Sequence, residues 1–129
     1  MDNGIVIESL SKHYGEAVRA LDQISFEVKS GELFGLIGPD GAGKTTLIRI
    51  LATLLLADQG QASVAGWDVR RDYRVIRRNV GYMPGRFSLY QDLSVEENLR
   101  FFATIFGTTV EANYDLIADI YRQIEPFRT

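Results

Sequence analysis

Gly38-Pro39-Asp40-Gly41-Ala42-Gly43-Lys44-Thr45 is the stretch on which the fold of this chain turns. It fits the pattern G-x-x-x-x-G-K-S/T, which arises by chance in a chain of this length less than about 1% of the time. The pattern carries chemistry only between a buried strand and a helix, and its flanks offer both. Before it, Leu33-Phe34-Gly35-Leu36-Ile37 is an unbroken apolar run, which reads as a strand covered on both faces. After it, Leu47, Ile50, Leu51 and Leu54 recur at the spacing of one helical face, widened by Ile48 and Leu55. Asp58-Gln59-Gly60 ends that buried helix. Between them the glycines let the backbone wrap closely around phosphate and turn successive N–H groups inward. The helix N-terminus adds unpaired N–H groups and the positive end of its dipole. Lys44 is placed to reach β- and γ-phosphates, the Thr45 hydroxyl to ligate Mg²⁺, and Thr46 to meet the α-phosphate.

Working outward, Ile5-Val6-Ile7 reads as a short strand. Ile24, Phe26 and Val28 alternate with Ser25, Glu27 and Lys29, the period of a half-buried strand. Gln61 to Ala65 reads as a strand ended by Gly66, Asp72 to Arg78 as a short basic helix, and Val80 to Met83 as a strand stopped at Pro84-Gly85. Ser94 and Glu97 form a capping box opening a helix that carries Val95, Leu99, Phe102 and Phe106, and Gly107 ends it. A last helix carries Ile117, Ile120, Tyr121 and Ile124 and stops at Pro126. There is no internal repeat and no linker.

Composition excludes several chemistries. With 46% hydrophobic and 24% charged residues the chain has an ordinary globular balance. It has no cysteine, which removes disulfides and thiol catalysis, and a single histidine, His13, too little for a histidine metal site. Its net charge of −3 argues against a general nucleic-acid binder. Met1-Asp2-Asn3-Gly4 is acidic where a signal peptide is basic. The most apolar stretch, Leu47 to Ala57, holds Arg49 and Thr53 and is shorter than the ~20 residues of a membrane span, so any membrane link is expected through a partner. Charge is uneven. Residues 1–90 hold 11 basic and 10 acidic side chains, and residues 91–129 hold 3 and 7. Five arginines fall between Arg70 and Arg78, and such runs ordinarily face water.

The loop and its surroundings resemble the ATP-binding domains of ABC transporters. Gly38 to Leu47 looks like their phosphate loop, commonly G-P-N-G-A-G-K-T-T-L, with Asp40 at the usual asparagine. The order Leu10-Ser11-Lys12-His13-Tyr14-Gly15, Ala20-Leu21-Asp22, Ile24 to Val28 and Gly31-Glu32 is similar to the opening of such domains. So is Gly81-Tyr82-Met83-Pro84 followed by Leu93 to Leu99. The likeness covers nearly the whole chain and lies nearest the cytoplasmic ATPases of drug- or polymer-exporting transporters. It implies an α/β P-loop fold, with an antiparallel layer packed on part of a parallel core, and ATP with Mg²⁺ as the bound group. The nucleotide-binding residues implied are Tyr14, stacking on adenine, Val18 beside it, and Gly38, Pro39, Asp40, Gly41, Ala42, Gly43, Lys44, Thr45 and Thr46. Thr45 reaches the metal through the nucleotide. The segment Arg86 to Leu93 is the expected contact with a transmembrane permease, with exposed Phe87, Leu89 and Tyr90 suited to it. A second ATP-binding domain is the other expected partner, no nucleic acid is, and the place implied is the inner face of the cell membrane.

Two departures qualify that expectation. The family's glutamine after Gly-Tyr-x-Pro, which meets Mg²⁺ and the attacking water, is here Gly85, which has no side chain. The chain also has no apolar run ending Asp-Glu and no Leu-Ser-Gly-Gly, and His13 comes too early to be the switch histidine. No catalytic residue is identified. Residues 1–129 therefore read as the N-terminal half, approximately, of an ABC-type domain, inactive alone, with an exposed apolar edge at Leu33–Ile37. The readings left open are a degenerate or regulatory nucleotide-binding module and a soluble non-transport ABC-type ATPase.

Overall fold

The computed structural model describes residues 3–127, in two compact units that meet in sequence between Tyr82 and Met83. The first holds β1 (Asn3–Tyr14), β2 (Val18–Lys29), α1 (Lys44–Leu51), β3 (Gln59–Val64), β4 (Trp67–Asp68) and α2 (Tyr73–Asn79). The second holds α3 (Val95–Ile105) and α4 (Tyr114–Ile124), with 3₁₀ turns at Glu111–Asn113 and Glu125–Phe127.

The strands of the first unit form one antiparallel sheet in the order β2-β1-β3-β4. Ile7 pairs with Phe26 on one side and with Ala62 on the other. Burial along β2 alternates as its sequence does, with Ile24, Phe26 and Val28 turned inward and Ser25, Glu27 and Lys29 outward. The β1–β2 hairpin closes through Gly15-Glu16-Ala17, with Gly15 at φ +61°, and so sets Tyr14 opposite Val18. The core gathers Ile7, Leu10, Leu21 and Ala62 from the sheet, Leu47, Ile50 and Leu51 from α1, Val69, and Ile76 from α2.

Helix α1 stops a turn short of Leu54, which is exposed. Thr53 takes φ +65°, its N–H donates to Ile50 O at 3.0 Å, and Leu54 N–H donates to Arg49 O at 2.8 Å. That is a Schellman closure with threonine where glycine is usual. Arg77 supports it, donating through Nε to Thr53 Oγ1 at 2.8 Å and through Nη2 to Thr53 O at 2.9 Å. Arg70 donates likewise to Ala57 O. Two of the five clustered arginines thus serve carbonyls that follow α1, rather than only facing water.

The strands expected at Leu33–Ile37 and Val80–Met83 are absent from the described residues. Neither segment has a neighbour to pair with, and an unpaired run satisfies its peptide groups with water instead. Leu33 and Ile37 are fully exposed, so the run is uncovered on both faces, although Phe34 stacks on Phe26 with centroids 5.5 Å apart. The antiparallel layer, the phosphate loop and α1 are present as the α/β P-loop reading requires.

In the second unit the capping box forms as expected. Glu97 N–H donates to Ser94 Oγ at 3.2 Å, and Ser94 N–H to Glu97 Oε2 at 2.8 Å. Helix α4 departs from its expected face, burying Ala118 and Tyr121 and leaving Ile120 exposed. The ring of Tyr121 meets Tyr114 edge-on at 5.8 Å, and this aromatic contact sets the inward direction. Among the described residues no helix is long and apolar enough to cross a membrane.

Candidate functional site

The end of the β1–β2 hairpin and the N-terminus of α1 enclose a cavity of about 300 Å³ lined by Tyr14, Val18, Ala20, Asp40, Gly41, Gly43, Lys44, Thr45 and Thr46. Residues from two distant stretches of sequence therefore share one pocket. Gly38, Pro39 and Ala42 shape the loop behind it without lining it. Ala20 escaped the motif reading, yet it follows Val18 by two residues on β2 and so shares its face.

Local chemistry explains the loop. Gly41 and Gly43 take φ +81° and +95°, the left-handed region that glycine enters freely. Ala42 N–H closes a turn onto Pro39 O at 3.2 Å. The first bond into the helix runs from Leu47 N–H to Gly43 O at 3.0 Å, so among the described residues the N–H groups of Lys44, Thr45 and Thr46 have no backbone acceptor. Lys44 Nζ donates to the carbonyls of Gly38 and, at 2.6 Å, Pro39, which lays the cation along the loop. Thr45 is exposed, whereas Thr46 is buried and meets Tyr14 Oη through Oγ1 at 3.2 Å. The ionisable acid and base in the lining are Asp40 and Lys44. A pocket of orphan N–H groups, an ammonium and a threonine pair suits a polyphosphate. Among the described residues no group of three His, Cys, Asp or Glu could hold a metal by itself. A cation here fits only as a partner of phosphate oxygens and the Thr45 hydroxyl.

Asp58 braces the rim from outside. It accepts from His13 N–H at 2.7 Å and Lys12 Nζ at 3.1 Å, and Lys12 Nζ lies 5.9 Å from the centroid of the Tyr14 ring. His13 is exposed. Its Nδ1 is 3.4 Å from Asp58, and its Nε2 accepts from Arg19 Nε at 3.2 Å. The His13 N–H bond, then the Lys12 bond, holds the Asp58 carboxyl below its ordinary value of 3.8. A lowered carboxyl stabilises the fold above its unfolded value and loses that contribution as pH falls through the folded one. The stability difference between the wild type and Asp58→Asn is therefore expected to shrink as pH falls from about 5 through and below the ordinary carboxylate range. Urea unfolding midpoints between pH 5 and 2.5 measure this, and a difference that grows on acidification within that window overturns it.

The second unit carries its own feature. Phe87, Leu89, Tyr90, Gln91, Leu93, Val95, Asn98, Leu99, Phe102 and Ile124 line an apolar groove of about 560 Å³. Asn98 fixes the approach to it. This buried amide accepts Tyr90 N–H at 2.9 Å and donates to the carbonyls of Tyr90, Leu93 and Ser94 at 3.0–3.2 Å. Its role had no signal in hydrophobic periodicity, because a polar residue on the inner face of a helix reads only as a break in the pattern. Gly85 sits in this unit with nothing near the position of a Cβ.

An α/β layer with a glycine-rich loop opening a helix defines a P-loop protein. A model of the ABC transporter family matches residues 21–126. The chain is 42% identical over 114 residues to the probable multidrug ABC transporter ATP-binding protein YbhF of Escherichia coli, covering 88% of this chain and 20% of that one. It is 37% identical over 123 residues to the doxorubicin resistance ATP-binding protein DrrA of Mycobacterium tuberculosis, covering 95% and 37%. A solved ATP-binding subunit of an ABC transporter superposes with a TM-score of 0.79 at 31% identity, over 96% of this chain and 52% of that one. The chain belongs to the ABC transporter family, in the P-loop fold of its ATP-binding domains. It spans between a fifth and two-fifths of the curated relatives' length.

Proposed function

We propose that this chain is the nucleotide-gripping part of the ATP-binding subunit of an ABC transporter. The observation that carries the reading is the pocket joining Tyr14 and Val18 to Asp40, Gly41 and Gly43–Thr46. In this reading Tyr14 and Val18 take the adenine, the loop Gly38–Gly43 and the free N–H groups of α1 take the phosphates, and Lys44 neutralises them. The Thr45 hydroxyl would hold a magnesium ion brought with the nucleotide, which would supply charge neutralisation to the phosphates. Residues 1–129 then form roughly the first half of the ATP-binding domain, and the share of the solved subunit they cover supports that division. Saturable one-to-one binding of Mg-ATP by calorimetry, lost in Lys44→Ala, tests the assignment.

In the whole protein we infer that ATP binding and hydrolysis drive export, a direction supported by the multidrug and drug-resistance names of the two relatives. The partners are a membrane permease and a second ATP-binding domain, which place the protein at the inner face of the cell membrane. The groove of the second unit supports the permease contact. The segment 86–93 contributes Phe87, Leu89, Tyr90 and Leu93 to its wall, and exposed aromatics at a concave apolar surface suit a protein contact.

Gly85 favours a second reading, a degenerate or regulatory site that binds ATP without hydrolysing it. No contact opposes a longer side chain there, so Gly85→Gln is accommodated without repacking. If the site is degenerate, that substitution in the complete protein raises ATPase turnover by about a hundredfold, the lower end of what a positioned proton-transfer group supplies. Robust wild-type turnover left unchanged by Gly85→Gln removes the second reading.

A further inference from the structure

We propose that the Tyr14 hydroxyl is a positioning group that aims the Thr46 proton at a bound phosphate. The inference rests on the nucleotide reading of the pocket and adds a role for the phenol oxygen, separate from stacking by the ring. Tyr14 Oη and Thr46 Oγ1 lie 3.2 Å apart in the pocket wall. Thr46 is 8% exposed, and among the described residues its hydroxyl has no other hydrogen-bond partner.

Each hydroxyl carries one proton and two lone pairs, so either can donate to the other. A phosphate only accepts. If Thr46 donated to Tyr14, its lone pairs would face the anion. If Tyr14 donates to Thr46, the Thr46 proton is free to point at the phosphate, and every group in the row is satisfied. The phenolic O–H is also the stronger donor of the two, because the ring withdraws charge from its oxygen. A row of hydroxyls running in one direction toward an anion polarises itself and strengthens each bond.

The tyrosine is held for this task at two points. Lys12 Nζ stands 5.9 Å from the ring centroid and is itself held by Asp58 at 3.1 Å. The backbone of Tyr14 is fixed by its pairing with Val18 at the hairpin end. Tyr14 remains 42% exposed, so ring surface is left for a base while its hydroxyl meets Thr46 at the start of α1. A phenylalanine in this place keeps the platform and loses the aim.

The test is a double-mutant cycle by calorimetry on the full chain, with Tyr14→Phe, Thr46→Val and their combination titrated with Mg-ATP. Lys44→Ala serves as the independent probe of the pocket, and thermal melts show that each variant is folded. Tyr14→Phe is expected to weaken binding about three- to tenfold, the range of one partly buried neutral hydrogen bond. The double variant is expected to bind no more weakly than Thr46→Val alone, because the phenol acts only through the threonine. Mg-triphosphate, which has no base to stack, should lose affinity in Tyr14→Phe by a similar factor. Wild-type affinity in Tyr14→Phe, or losses that add independently, overturns the proposal. Should Lys44→Ala still weaken binding in that case, the pocket stands and only the relay fails. Should all variants bind alike, the nucleotide reading fails with it.

Discussion

Lys44→Ala is expected to weaken Mg-ATP binding by about a hundredfold to a thousandfold, with little change in folding. Charge-assisted hydrogen bonds contribute about 1.5–3 kcal/mol each, and an ammonium between two phosphates makes at least two. Lys44 now lies along the loop, donating to the carbonyls of Gly38 and Pro39. A polyphosphate in the pocket offers anionic acceptors in their place, a stronger set, so the cation transfers to the ligand with net gain. Truncation also frees two exposed carbonyls, which water satisfies, and the melting temperature should move by only a few degrees. Calorimetric titration beside a circular-dichroism melt separates the two effects. Equal affinity in a folded variant removes the phosphate-loop assignment.

The parts of this site that were legible in the sequence are those whose chemistry is local. Gly38 to Thr45 announces its turn, its orphan N–H groups and its lysine in eight consecutive residues. The Ser94–Glu97 capping box is likewise self-contained, and it formed as read. Tyr14 and Val18 were reached through the family resemblance, and the hairpin register then set them opposite each other. Leu33–Ile37 misled because an apolar run states only a preference for burial. A strand also needs a neighbour, and the described sheet ends in β2 and β4 without reaching that run. The Schellman closure at Thr53 was hidden for a different reason. Its left-handed threonine is held by Arg77, 24 residues away, and no local pattern records such a support. The Tyr14–Thr46 bond, across 32 residues, belongs to the same class of long-range polar pairing.

Gly43→Ala is expected to be the most damaging of the glycine substitutions in the phosphate loop. Gly43 sits at φ +95°, where an L side chain costs about 1–2 kcal/mol. Its Cβ would lie 2.2 Å from the Ala20 carbonyl oxygen and 3.0 Å from Leu21 Cδ2. Neither neighbour can yield easily, since Ala20 is tethered between the paired residues Arg19 and Leu21, and Leu21 is 2% exposed in the core. Forcing atoms into such a contact adds about 1–3 kcal/mol. The sum is a large part of the stability of a small domain, and the melting temperature should fall by about 10 °C or more. Binding should fall with it, because the loop must retreat from β2 and carry the Lys44 and Thr45 N–H groups out of line. Gly41→Ala separates the two causes. Gly41 shares the left-handed backbone at φ +81° but has open space around the Cβ position, so only the conformational cost applies. Gly38→Ala meets its nearest neighbour at an ordinary 3.5 Å and should be the mildest of the three. Thermal melts are expected to rank the losses Gly43, Gly41, Gly38. A Gly41→Ala protein as unstable as Gly43→Ala would show that backbone conformation, and not the approach of loop to strand, holds the pocket in shape.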